Sequence, residues 1–158
     1  MSSLKESAQR IQDKLLELGH TGKVVELPDN ARTAQEAADA IGCEIAQIAK
    51  SIVFRLESTG KPLLVVASGI NRINEKAIGA KVGDKLCKAD ADFVRESTGY
   101  VIGGIPPLGH TEAILTLVDE DLFRYETIWA AAGHPKAVFQ LTADDLVSFT
   151  QGELVSVK

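Results

Sequence analysis

The chain has 158 residues, 45% hydrophobic and 25% charged, with a formal net charge of −5. That is the length of a single domain with a real core and the composition of an ordinary globular protein; no apolar run approaches the ~20 residues of a membrane helix. The acidic balance argues against a protein that coats nucleic acid through phosphate contacts. The charged start MSSLKESAQR lacks a signal peptide's apolar stretch, and Cys43 and Cys87 lack metal-type spacing, so a reduced, cytoplasmic protein is expected.

Ser3-Leu4-Lys5-Glu6 reads as a capping box, and Leu4, Ala8, Ile11, Leu15 and Leu18 form one apolar stripe, predicting a helix over 3–18 that Gly19 ends. Lys23 to Leu27 reads as a short strand closed by Pro28-Asp29-Asn30. Thr33-Ala34-Gln35-Glu36 is a second capping box, opening an alanine-rich helix that Gly42 stops. A helical turn from Glu44 to Ala49 then leads to Lys50.

After Lys50 the period changes. Strands are expected at 52–56 and 63–67, joined by Ser58-Thr59-Gly60 as a hairpin. Asn74 is placed to cap a helix through Val82, Leu86-Cys87 reads as a short strand, and Asp90 to Ser97 as a helix ended by Gly99. Further strands are expected at Tyr100–Ile102, Ile114–Val118, 127–131, Ala137–Leu141 and 153–157, with Thr142 capping a last helix. The sum is one α/β domain over residues 1–158, with the first helix as an extension. Its sheet is curved, mixed and largely antiparallel, or a partial barrel, with helices packed outside.

Charge is unevenly spread. Residues 72–88 carry Arg72, Lys76, Lys81, Lys85 and Lys88 against Glu75 and Asp84, whereas residues 119–158 hold seven acids and three bases. The basic stretch is either a solvated helix face or a surface that meets a polyanion.

The sequence lacks a GxSxG elbow, a Walker loop, a GxGxxG and an HExxH, and its three histidines form no ligand pair at helical spacing. No metal and no cofactor are expected. What stands out is YVIGGIPPLGH, residues 100–110, together with Lys50 and the turn Ala132-Gly133-His134-Pro135. Closely spaced glycines and prolines make a stiff, shaped loop that can leave amides free. Such an inventory, without a side-chain nucleophile, suits backbone stabilisation of a developing oxyanion, with water or a bound hydroxyl attacking. Lys50 is either a surface lysine favoured by a helix end or a cation that meets an anion.

The combination of RTAQEAADAIG, IAKSIVF, the GGIPPLGH loop, the AAG turn and TADDL resembles the YbaK family of aminoacyl-tRNA deacylases, also found as the editing insertion of bacterial prolyl-tRNA synthetases. The resemblance runs from about Lys23 to the C-terminus. It implies hydrolysis of the ester on a mischarged tRNA, a small residue such as alanine or cysteine on tRNA(Pro), by a monomer or homodimer away from membranes, with a synthetase as a candidate partner. The family's lysine falls on Lys50, its GxxxP motif on Gly103 to Pro107, and its second glycine turn on Gly133 with His134 beside it. The catalytic set is therefore expected to be Lys50, Gly103, Gly104 and His134. Ile52, Ile105, Pro106, Pro107, Gly109 and Gly133 are expected around the substrate, and Ile52, Phe54 and Ile105 as walls of the amino-acid pocket. His110 is expected in solvent.

Overall fold

The computed structural model describes residues 6–20, 23–28, 33–111 and 113–158. In chain order the elements are α1 (Glu6–Glu17), β1 (Val24–Glu26), α2 (Ala34–Ile41), β2 (Ile48–Leu56), β3 (Pro62–Ser68), α3 (Glu75–Val82) and β4 (Leu86–Lys88). They continue with α4 (Ala91–Thr98), β5 (Leu115–Asp119), β6 (Ile128–Ala131), β7 (Ala137–Leu141), α5 (Ala143–Thr150) and β8 (Glu153–Val155). Single 3₁₀ turns at Ile45–Gln47 and Glu120–Arg124 precede β2 and follow β5. No helix among the described residues is long and apolar enough to cross a membrane.

The strands form one mixed sheet in the order β1-β7-β6-β2-β3-β5-β8, with β4 also paired to β2. The β1/β7, β7/β6, β2/β3 and β2/β4 pairs are antiparallel; β6/β2, β3/β5 and β5/β8 are parallel. The mixture follows from the sequence. Strands β2 and β3 are close enough for a hairpin, whereas β3 reaches β5 only through α3, β4 and α4, and such crossovers bring strands in parallel. Leu63 to Ala67 of β3 are all fully buried, the unbroken apolar run of a strand covered on both faces.

Alternation along β2 and β3 divides the core. Ala49, Val53, Leu64 and Val66 face one cluster, which takes Ala8, Ile11 and Leu15 of α1, Val94 of α4 and Leu146 of α5. Phe54, Leu63, Val65 and Ala67 face another, closed by Ile78 of α3. Helix α1 packs into the main core: Ala8, Ile11 and Leu15 are all fully buried. Its expected capping box at Ser3–Lys5 lies outside the described residues, as do Asp29 and Asn30 of the expected turn.

The helix starts follow their capping side chains. Thr33 and Thr142 make reciprocal capping boxes with Glu36 and Asp145, and Asn74 and Asp90 accept from the N–H groups of Ala77 and Phe93. Two expectations change. The turn before Lys50 is a single 3₁₀ turn, and Ile48 and Ala49 already belong to β2, where they pair with Trp129 and Ala130 of β6. Residues Tyr100–Ile102 are not a strand. The Tyr100 N–H donates to Thr98 Oγ1, and the Tyr100 ring lies beneath the Arg10 guanidinium at 5.0 Å, so Tyr100 anchors the loop on α1 while Val101 and Ile102 stay exposed.

Candidate functional site

The site is built where β2 lacks a neighbour. One edge of β2 pairs with β3 from Ala49 to Arg55. On the other edge, β6 reaches only Ile48 and Ala49, and β4 only Phe54 to Leu56. Among the described residues, 50–53 therefore have no strand partner on that edge. Into this gap comes the loop that follows α4, with Ile105 nearly fully buried in the main core. Ile105 and Ser51 together line two cavities, one on either side of the gap.

The smaller cavity, about 190 Å³, contains Lys50 and Gly103. Its lining mixes alanines, Ala34 and Ala37 from α2, Ala49 from β2 and Ala130 and Ala131 from β6, with the larger Leu27, Ile48, Trp129 and Val138. Ser51 contributes a buried Oγ that has no hydrogen-bond partner among the described residues. Lys50 is half-buried, and among the described residues it has no carboxylate within ion-pairing distance. A half-buried lysine with no counter-ion among the described residues is available to an anionic group.

The loop itself is rigid. Gly103 takes φ +94°, a conformation that only glycine adopts readily. The N–H of Gly104 donates to the carbonyl of Val101 at 3.0 Å, so it is engaged within the turn. The N–H groups of Gly103 and Ile105 have no acceptor among the described residues. Gly104 is needed for another reason. A Cβ there would lie 2.7 Å from the carbonyl carbon of His134 and 2.8 Å from the nitrogen of Pro135. The two glycine turns are thus pressed backbone to backbone. Gly133 is equally crowded, at φ +91° with a would-be Cβ 2.6 Å from the Ser7 carbonyl oxygen, so α1 supports both turns from behind.

Of the expected site residues, Lys50, Gly103 and Ile105 meet at the small cavity, while Gly104 packs behind them. His134 and Gly133 do not line the cavity; His134 Nδ1 accepts the Lys136 N–H at 3.0 Å. Ile52 and Phe54 are not walls of it either. Alternation turns them, together with Lys50, to the opposite face of β2, where all three line a groove with Arg72; Lys50 also borders the small cavity at the unpaired edge of the strand. The second half of the loop is an anchor: Pro106, Pro107 and Leu108 are buried, and Pro107 and Gly109 face a separate concavity between α1 and α5. Sequence reasoning missed Ser51, Trp129, Pro135 and the α2 alanines. The repeated alanines of AQEAADAI were the available signal for the α2 part of this lining.

His110 is half-buried rather than solvent-exposed, with Nε2 2.6 Å from the Pro106 carbonyl oxygen. Burial holds its imidazole below the ordinary pKa, outweighing the opposing effect of that hydrogen bond. The native state therefore prefers neutral His110, whereas the unfolded chain takes up a proton near the usual value of about 6.5. Stability from this group is full above about pH 6.5 and declines as pH falls below it. Melting temperatures from pH 8 to 5 should drop more steeply for wild type than for His110→Gln; parallel curves would remove this role. Burial, with Glu44 beside it, pushes the Cys43 thiol up, away from nucleophilic use. Among the described residues no cluster of three His, Cys, Asp or Glu side chains is arranged for a metal ion.

A small cavity beside a lysine and two amides that have no partner among the described residues suits a protein that receives a small acyl group joined to an anionic carrier. The family model described as aminoacyl-tRNA editing domain matches residues 28–149. The chain belongs to this aminoacyl-tRNA editing family, the one that the Lys50–β2 junction and the Gly103–Pro107 motif resemble. YwhH of Bacillus subtilis (strain 168) is 29% identical over 144 residues, 91% of each chain. A protein of Enterococcus faecalis (strain ATCC 700802 / V583) named as a candidate Cys-tRNA(Pro)/Cys-tRNA(Cys) deacylase, EbsC, is 26% identical over 126 residues, 79% of this chain and 76% of that one. A solved structure described as a candidate trans-editing enzyme for prolyl tRNA synthetase superposes with a TM-score of 0.94 at 43% identity, covering 99% of both chains.

Proposed function

We propose that this protein is a trans-acting deacylase that hydrolyses mischarged aminoacyl-tRNA, removing a small amino acid such as alanine or cysteine from tRNA(Pro). The observation that carries this reading is the 190 Å³ cavity with Lys50 at its mouth and the Gly103 and Ile105 amides beside it. The relatives named for editing at prolyl-tRNA support the choice of substrate class.

In this reading the aminoacyl group enters the cavity and the terminal ribose lies at its mouth. Water, oriented by the substrate's own ribose hydroxyl, attacks the ester carbonyl carbon. The carbonyl oxygen gains charge as the tetrahedral intermediate forms and is held by the Gly103 and Ile105 N–H groups. One such donor is worth about 3 kcal/mol of transition-state stabilisation. Collapse breaks the bond to the ribose oxygen, which takes a proton, and releases a free amino acid and an intact tRNA. Lys50 anchors a neighbouring phosphate and adds positive potential at the ester. His134 serves by fixing the turn on which Gly104 rests.

Selectivity comes from size rather than from attraction. A methylene is worth only ~1–3 kcal/mol in an apolar pocket, so a cavity of about 190 Å³ bounded by Leu27, Ile48, Trp129 and Val138 favours small residues mainly by excluding large ones. Ester release from tRNAs charged with alanine, cysteine, serine, proline and leucine tests the reading. Small residues should be released well above the buffer rate and leucine should not. Binding of the charged tRNAs without release of any amino acid would leave a docking module and overturn the enzyme.

A further inference from the structure

The face of β2 opposite the small cavity has its own construction. Lys50, Ile52 and Phe54 line a groove there with Gly69 to Ile73 and Glu75. Glu75 also lines a concavity with Lys88 and Ile102, and another with Lys76 and Lys85. Three hollows therefore run together, from Lys50 past Arg72 and Lys88 to the start of α3. Their charged lining residues are Lys50, Arg72, Lys76, Lys85 and Lys88 against Glu75 and Asp84, in a chain whose net charge is −5. Asp84 is engaged by Ser58. Arg72, Lys76, Lys85 and Lys88 are exposed, and none has an acidic partner among the described residues.

The segment carrying Arg72 is held from beneath. Asn71 Nδ2 donates to Asp119 Oδ2 and to Asp121 Oδ2, both at 2.8 Å, and Asp119 also accepts the Ser68 N–H at 3.0 Å. Asp119 is fully buried, Asn71 is 7% exposed, and Lys158 Nζ closes the network 3.0 Å from Asp121. Burying carboxylates is costly unless every lone pair is used. Here that arrangement fixes a short loop whose outer face shows Arg72 and Ile70, the latter 63% exposed. Ile102, 57% exposed, lines the adjoining hollow. A fixed rim of cations with apolar side chains at the mouth matches a single RNA strand, whose phosphates repeat along the chain and whose bases carry apolar faces.

We propose that this rim, from Lys50 through Arg72 and Lys88 to Lys76 and Lys85, docks the phosphodiester backbone of the unpaired 3′ strand of the aminoacylated RNA. The inference rests on the deacylase reading for its ligand. Lys50 belongs to both surfaces, so the strand leaves the aminoacyl cavity across β2 and runs toward α3. The overall acidity of the chain confines RNA to this one path.

The test compares wild type with Arg72→Ala/Lys88→Ala and with Lys76→Ala/Lys85→Ala, using Lys14→Ala on the far concavity as the control. Three readouts are taken: kcat and KM for an aminoacyl-tRNA, turnover of the same amino acid esterified to adenosine alone, and anisotropy of a labelled single-stranded RNA ending in CCA. Each double variant should raise KM for aminoacyl-tRNA about tenfold with kcat held. The slope of log(kcat/KM) against log[salt] should flatten by about 1.4, for two lost phosphate contacts on a single strand. Aminoacyl-adenosine turnover should be unchanged, and affinity for the labelled RNA should fall about tenfold. Unchanged KM and salt slope would overturn the path, and so would an equal loss on tRNA and on adenosine ester, which marks a role in fold or chemistry. If wild type hydrolyses neither ester, the deacylase reading falls; the anisotropy then decides docking by itself, and equal affinity of variants and wild type would end it.

Discussion

Lys50→Ala is expected to lower kcat/KM for deacylation by about 10²–10³-fold, roughly 3–4 kcal/mol of transition-state stabilisation, and to leave the fold intact. The structural part follows from what Lys50 lacks. It is half-buried in β2 but holds no ion pair among the described residues, so its removal breaks no network. Melting should stay within about 0.5 kcal/mol of wild type, with an unchanged circular dichroism spectrum. The kinetic part separates its two jobs. If the ammonium acts on charge that develops only at the ester, kcat and kcat/KM fall together; if it merely grips a phosphate, KM rises with kcat held. Lys50→Arg should restore little, because a planar fork does not replace a compact ammonium at the mouth of so small a cavity. Full turnover by Lys50→Ala would remove the lysine from the mechanism, whatever its position in the cavity.

Much of this arrangement was legible in the sequence wherever local chemistry decides. Thr33, Asn74, Asp90 and Thr142 start their helices because a short polar side chain satisfies an amide at the first turn, and that needs no tertiary partner. Strand β7 falls on Ala137–Leu141 as expected, since its apolar run is bounded by a turn and a cap. What could not be read depended on partners. Tyr100–Ile102 is β-prone in composition, but its tyrosine is claimed by Arg10 and Thr98, and a short apolar run does not reveal whether a strand or an anchored loop will use it. The walls of the cavity failed for the same reason. Alternation along β2 was known, but which face would meet α2 and β6 depended on the parallel pairing of Ile48 with Trp129. Once that pairing is fixed, Ile52 and Phe54 face away from the cavity and Ser51 stands in their place.

Gly104→Ala should separate the geometry of the loop from the chemistry of the lysine. The added methyl meets the backbone of His134 and Pro135 at 2.7–2.9 Å, and a backbone cannot rotate aside as a side chain can. Overpacking of this kind costs about 1–3 kcal/mol, which should appear as a lower unfolding midpoint with unchanged denaturant slope. The neighbouring turn is held too firmly to give way. Gly133 is pinned against Ser7 of α1, the Ala132 N–H donates to Ala137, and the Ala137 N–H donates to His134, so relief must come from the loop that carries Gly103 and Ile105. Their amides then leave the position where an oxyanion would form, and a shift near 1 Å costs on the order of 10²-fold in rate. Lys50 is untouched by the change, so substrate affinity should hold while kcat falls about 100-fold. A variant that loses stability but deacylates at the wild-type rate would show that these two amides do not bind the developing charge, and the search for its donor would move to the Ser51 hydroxyl in the cavity.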